Sequence, residues 1–332
     1  MTQTQTMSSR PLGSSGLQVS EIGFGGWGIG KSMWGRTYDE ESLNALRTAL
    51  DRGITYFDTA GVYGHGHSER LIGQAIRDSG AKAVVGTKIA PKNMEWPAHP
   101  RTRLPFAFPA DWITEQTERS LRNLRSEAVD LLMLHVWTDA WLDDENFAHT
   151  ARALEDIKSS GKARAIGISI NSDDPSSALR LIATGRIDAV QVIFNLFDQR
   201  AVDELFPLCQ KMGVGVIVRC PFDEGGLTGQ LRPDTQFAPE DFRSFYFGGE
   251  RLGETVKRAE VLKGLLIGEQ AQDLAQAALK YCLSDTRVAT VIPGMRLRSH
   301  VEANARVAGG KPFDKATLEA LKAHRWIRNF YS

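Results

Sequence analysis

Residues 129–170 read VDLLMLHVWTDAWLDDENFAHTARALEDIKSSGKARAIGISI, and this stretch decides the fold. Its two ends, 129–136 and 163–170, are short apolar runs of strand length. Between them Phe147, Ala151, Leu154 and Ile157 recur at helical spacing and stop at Ser159-Ser160-Gly161. A strand, a helix and a second strand in that order form a crossover between parallel strands, and such crossovers are right-handed.

The alternation continues in both directions. Further strand-like runs at 21–26, 55–59, 83–89, 189–195, 213–219 and 289–292 bring the number to eight. Asp39 reads as the N-cap of a helix carrying Leu43, Leu46 and Leu50 and stopped by Gly53, while Leu274, Ala275, Ala278, Leu279 and Cys282 form a stripe before the last strand. Such stripes pack the core. Eight strand–helix units satisfy the crossover rule as a closed barrel or as a long doubly wound sheet, and the number eight favours the α/β class with a (β/α)8 TIM barrel. The turn at 13–16 followed by 17–20 reads as an N-terminal β-hairpin on the barrel floor, and 315–323 as a C-terminal extra helix. Segments 90–110, with five prolines, and 231–263 break the rhythm and are expected to be long rim loops.

The 332 residues, 42% hydrophobic and 24% charged, suit one well-cored domain over 11–332 behind a flexible polar leader at 1–10. That leader has no apolar stretch for secretion, and no run approaches the length of a membrane span. Forty basic residues balance forty acidic ones, which removes the global electrostatic reason to expect nucleic acid or an anionic membrane as partner. Three distant cysteines, Cys209, Cys220 and Cys282, suit a reducing cytoplasm, and no His/Asp/Glu pair has the spacing of metal ligands. The sequence carries no signal for oligomeric state.

In a barrel the lumen is packed, so chemistry is confined to the carboxyl ends of the strands and the loops that leave them. Asp58 ends the second strand and Tyr63 lies in the following loop; Lys88 closes the third strand and His135 the fourth. Singly these read as a cap, a rim residue, a surface lysine and a core histidine. Jointly they converge on one volume. There Lys88 would acidify the Tyr63 phenol, Asp58 would keep Lys88 protonated, and His135 would orient a substrate oxygen. A phenol so tuned is a general acid for carbonyl reduction and a base for alcohol oxidation. No side chain donates hydride, so a cofactor must. Gly23-Phe24-Gly25-Gly26-Trp27-Gly28 fits the dinucleotide fingerprint G-x-G-x-x-G, but the next helix waits until about Asp39, so these glycines read as the first strand's exit, with Gly26 and Trp27 near nicotinamide and substrate.

With Phe57-Asp58-Thr59-Ala60-Gly61-Val62-Tyr63-Gly64, Ser68-Glu69, Gly86-Thr87-Lys88 and the run from Asp130 to His135, the chain resembles the aldo-keto reductase family over nearly its whole length. The resemblance is to bacterial aldehyde and sugar reductases and to the related channel β-subunit-type members. It implies Tyr63 as acid/base, Lys88 and Asp58 as its tuning pair and His135 as the orienting group. It further implies NADP, with NAD possible, held by Ser169, Asn171 and Gln191 at the nicotinamide amide and by Pro221, Phe222 and Leu227 in the loop across the pyrophosphate. Gly294, Arg296, Arg298, His300 and Asn304 match the segment that clamps the adenosine end.

The chain departs from the pattern at Ile170, where the family usually has Asn, at Arg219, where an aromatic often stacks on the nicotinamide, and at His300 and Ala303. Arg219 can stack as a guanidinium but adds a charge beside the ring. Arg296 and Arg298 together are expected to embrace a 2′-phosphate. Trp27, Trp34 and Trp137 are expected to line a pocket for a small carbonyl or alcohol, a sugar or an apolar aldehyde. The alternative reading within the family is a cofactor-binding regulatory barrel with little turnover.

Overall fold

The computed structural model describes residues 7–331 apart from Ser32 and Asp173. Strands β1 (Ser9–Pro11) and β2 (Gln18–Ser20) form an antiparallel hairpin with Arg10 opposite Val19. Eight parallel strands follow: β3 (Phe24–Gly25), β4 (Tyr56–Asp58), β5 (Val84–Ile89), β6 (Val129–Leu134), β7 (Ala163–Ser169), β8 (Ala189–Ile193), β9 (Gly215–Arg219) and β10 (Val288–Val291). They pair in sequence order, and bridges from Ile22 to Val291 and from Gly25 to Gly294 join first strand to last and close the barrel.

The eight strands expected from the sequence are all present, each shorter by a residue or more except β10, which begins one residue earlier. The core lies in two layers. Outward-facing side chains such as Leu132, Leu134, Ile166, Ile168, Val190 and Val192 pack under the helices. Inward-facing Tyr56, Leu131, Met133, Ala165, Ala189 and Ile217 fill the lumen, and Leu12, Leu17 and Val19 of the hairpin plug its floor. Gly86 is glycine because the Tyr56 ring occupies its side of the lumen, where a Cβ would come within 2.3 Å of the Tyr56 hydroxyl.

Several expectations are corrected. Ser9 and Arg10, assigned to the leader, belong to β1, where Arg10 pairs with Glu21; residues 1–6 of that leader lie outside the described residues. Asp39 is the first residue of helix Asp39–Asp51, not its cap; Tyr38 holds the cap position, and the Asp39 carboxylate meets Lys31 at 2.8 Å and His67 at 2.9 Å. Much of the expected loop 231–263 is helical, in Phe242–Tyr246 and Arg251–Leu266. Leu252, Val256, Ala259, Leu262 and Leu266 supply the buried stripe of the longer helix, which Gly253, Gly264 and the dense charges between them hide from a periodicity reading. The terminal helix runs Lys315–Leu321, capped by Asp314 Oδ1 accepting from the Thr317 amide, and tightens into one 3-10 turn at Lys322–His324. Segment 90–110 keeps its loop character but for the turn Leu104–Ala107. Among the described residues no helix is long and apolar enough to cross a membrane.

Candidate active site

The alternation that fills the lumen also builds the site. One step of two residues towards the carboxyl end from Tyr56, Ala189 and Ile217 leads to Asp58, Gln191 and Arg219, and two such steps from Val84, Leu131 and Ala165 lead to Lys88, His135 and Ser169. The top layer of the lumen is therefore polar by strand parity.

Asp58 and Lys88 are buried, with 3% and 0% of their side-chain surfaces exposed. Lys88 Nζ donates to Asp58 Oδ1 at 2.5 Å, to the Thr59 carbonyl at 2.9 Å and to Tyr63 Oη at 3.3 Å, so its three protons have three acceptors. Gln191 Nε2 donates to the other Asp58 oxygen at 2.6 Å. The His135 and Tyr63 rings meet edge to face, 5.7 Å apart. The four residues expected to act together do converge. Burial raises the Asp58 carboxyl above its ordinary range against the pull of Lys88, and lowers Lys88 against the pull of Asp58. Burial, with the charges of Lys88 and Arg219, holds His135 well below the ordinary histidine range, so the ring is neutral.

One electrostatic expectation is corrected. Burial, reinforced by the Asp58 charge and opposed by Arg219, holds the Tyr63 phenol above the ordinary tyrosine range. Tyr63 thus rests protonated, with a cation in reach of its oxygen.

The site is braced from below by residues the sequence reading quoted but gave no task. Ser68 Oγ donates to the Gly26 carbonyl at 2.8 Å and accepts from Thr59 Oγ1 at 2.9 Å. Buried Glu69 accepts from Thr87, next to Lys88, at 2.7 Å and from Asn123 at 2.7 Å. Gly26 packs on this brace, where a Cβ would lie 2.6 Å from the Asp58 carbonyl oxygen and 2.8 Å from Ser68 Oγ. It faces the brace and not the cavity, whose lining here comes from Gly25 at the end of β3 and from Trp27 and Gly28 in the 3-10 turn that follows.

A cavity of about 620 Å³ is lined by Asp58, Tyr63 and His135 of this Asp–Tyr–Lys–His tetrad and also by His300. Ser169, Gln191 and Arg219 line it with Trp27, and so do Pro221, Phe222, Gly294 and Arg296. Asn171 also lines it, but its amide oxygen and nitrogen are both taken by the Ala98 backbone at 3.0 Å each, so it fastens the 97–98 segment. Leu227 is fully buried behind the lining. Arg298 is not in the lining; it pairs with Glu302 at 2.9 Å, so a joint embrace with Arg296 is not preformed. Arg296 donates to the Trp34 carbonyl and lays its stem over Gly28. Asn304 is buried with its amide nitrogen unpartnered among the described residues, and Arg219 donates to the Ile170 carbonyl and Ser172 Oγ while its Nε has no partner among them. A cavity lined by Arg219, Arg243 and Arg296, with the Arg219 Nε and Asn304 Nδ2 donors still unspent among the described residues, fits an anionic dinucleotide.

The substrate wall differs from expectation at one tryptophan. Trp27 stacks on Tyr63 at 6.2 Å and Trp34 meets Trp27 edge-on at 5.2 Å, both in the lining. Trp137 is 1% exposed, donates to Asp139 and packs on Trp141 and Phe147 in the outer core. Its place at the cavity is taken by Trp96, edge-on to His135 at 4.7 Å, and by Phe242, 5.5 Å from Trp27. Trp96 comes from the irregular segment 90–110 and Phe242 from the short helix Phe242–Tyr246 within 231–263, neither of which the periodicity reading resolves. Aromatics in proline-rich rim loops were the available signal. Cys220, Glu224 and Tyr331 also line the cavity and were not anticipated.

The aldo/keto reductase family model matches residues 21–325. The chain is 29% identical over 302 residues to the aldo-keto reductase YhdN of Bacillus subtilis, covering 90% of this chain and 88% of that one. It is 30% identical to a probable voltage-gated potassium channel subunit beta of Arabidopsis thaliana, covering 90% of each. Among solved structures it resembles the holo form of aldo-keto reductase AKR11C1 from Bacillus halodurans, with a TM-score of 0.76, 27% identity and 97% of each chain covered.

Proposed function

The chain belongs to the aldo/keto reductase family of oxidoreductases, and from that premise we propose that it interconverts an aldehyde or ketone and the corresponding alcohol with NADP(H), Tyr63 acting as general acid and base. The observation that carries this reading is the Lys88 ammonium bonded at once to Asp58, the Thr59 carbonyl and the Tyr63 hydroxyl beneath an aromatic-walled cavity.

The bound cofactor supplies or accepts the hydride at the substrate carbon. Ser169 and Gln191 hold its amide end; Gln191 spends its nitrogen on Asp58 and keeps a carbonyl oxygen to accept with. Arg219, the loop 221–229, Arg296, His300 and Asn304 would hold the rest of the cofactor, the arginines answering its negative charge. Neutral His135 donates a hydrogen bond to the substrate oxygen and fixes it beside Tyr63 Oη. In reduction the Tyr63 proton passes to that oxygen, leaving a phenolate 3.3 Å from Lys88, where the ammonium stabilises the charge as it forms. In oxidation the same atoms run in reverse. Trp27, Trp34, Trp96 and Phe242 wall off water and give the substrate body aromatic faces.

Tyr63→Phe tests the reading. Turnover followed by cofactor absorbance is expected to fall by roughly 10²–10⁴-fold, with cofactor affinity unchanged; near-native turnover refutes the assignment. The likeness to a probable channel subunit supports a rival, a cofactor-binding regulatory barrel. Tight cofactor binding by the wild type with no turnover across a panel of aldehydes favours that rival.

A further inference from the structure

The last residues of the chain reach the cavity. Segment 325–331 crosses the rim, fixed by the Arg325–Asp203 ion pair and by the Trp326 amide donating to the Phe197 carbonyl at 2.9 Å. Phe330 then joins Tyr246, Phe247, Leu252 and Val256 in a small separate core, and Asn329 and Tyr331 enter the cavity lining.

What the segment touches there is the loop leaving β9. Cys220, Asp223 and Glu224 have φ of 52°, 50° and 54°, a left-handed conformation that non-glycine residues adopt at a cost, and three of them within five residues make this loop strained. It is also doubly acidic, and both carboxylates are buried, at 3% and 6% exposure. Arg328 pairs with Asp223, whose carboxylate also accepts from Tyr246 Oη at 2.9 Å. Tyr331 Oη donates to Glu224 Oε1 at 2.5 Å, and Cys220 Sγ donates to the same oxygen at 3.1 Å. Strain persists only where surroundings over-determine it, and here two of the holding groups come from the tail.

We infer that Arg328 and Tyr331 are positioning residues of the cofactor site: they latch the strained loop and occupy its two carboxylates, so that the loop can lie across an anionic dinucleotide. The inference rests on the cofactor reading proposed above. An unbalanced Asp223 carboxylate near a diphosphate would repel it, and a loop no longer held at Glu224 would relax instead of closing over it. Arg328 is suited to the task because its guanidinium also stacks on Trp326 at 4.4 Å and Phe330 at 4.9 Å, which fixes the charge in place.

The test is a fluorescence titration of NADPH and NADH on the full chain, with dissociation followed by stopped flow. The wild type binds; Arg328→Met, which keeps an apolar stem between the aromatics, weakens NADPH binding by roughly tenfold or more, mainly through faster dissociation. Tyr331→Phe weakens it to a lesser degree. Adding Asp223→Asn to Arg328→Met recovers most of the loss, an outcome that mere packing damage would not produce. Wild-type affinity in Arg328→Met, or a double variant as weak as the single one, overturns the latch and leaves the functional reading standing. A wild type that binds neither dinucleotide overturns both.

Discussion

Replacing Lys88 by Met removes the ammonium that Asp58, the Thr59 carbonyl and Tyr63 share. Deleting one partner of a buried ion pair costs about 3–5 kcal/mol, since Asp58 Oδ1 loses its donor while Gln191 still serves Oδ2. Part of that is recovered when Asp58 takes up a proton. Burial already raises the Asp58 carboxyl, and without Lys88 it rises further above its unfolded value of about 3.9. Between those two values the folded variant binds more protons than the unfolded chain, so its stability falls as pH rises, by up to about 1.4 kcal/mol per pH unit. The deficit against wild type is therefore smallest near or below pH of about 4 and grows on the alkaline side. Urea unfolding of both proteins at a mildly acidic and a mildly alkaline pH measures it. Asp58→Asn added to Lys88→Met removes both charges of the pair, and that double variant is expected to be more stable than Lys88→Met at the higher pH and to lose the pH dependence that Asp58 confers. A gap of the same size at both pH values, or a double variant no better than the single, refutes the argument that an unpaired Asp58 charge sets the cost.

Gly26→Ala forces a methyl against the Asp58 carbonyl and Ser68 and should destabilise by about 1–3 kcal/mol, read by thermal or urea unfolding; an unaltered midpoint would show that the brace yields freely. Trp137→Ala should cost about 3–5 kcal/mol in unfolding while leaving KM for the carbonyl substrate unchanged, because the ring sits in the outer core; a raised KM at unchanged stability would return it to the substrate wall. Arg296→Ala should weaken NADPH binding by roughly tenfold relative to NADH. An equal effect on both cofactors in a titration would limit Arg296 to holding the Trp34 carbonyl.

The sequence alone determined the parts governed by local periodicity. Alternation of strand and helix, the floor hairpin and the inward parity of Asp58, Lys88 and His135 follow from repeats of two and 3.6 residues, which neighbouring residues suffice to express. That is why the tetrad was legible on three strands far apart in the chain. Trp137 has the parity of His135 yet lies in the core, because the ladder to β5 ends with the His135 amide donating to the Ile89 carbonyl and the alternation lapses beyond it. Arg296 and Arg298 could not be told apart by residue type; packing over Gly28 turns one to the cavity, and Glu302 draws the other away. Tyr63's protonation likewise depends on how far burial outweighs nearby charge, a sum over elements scattered through the chain. The tertiary structure alone decided that Tyr331 and Arg328 meet the loop after β9, a contact spanning over a hundred residues that no local pattern encodes.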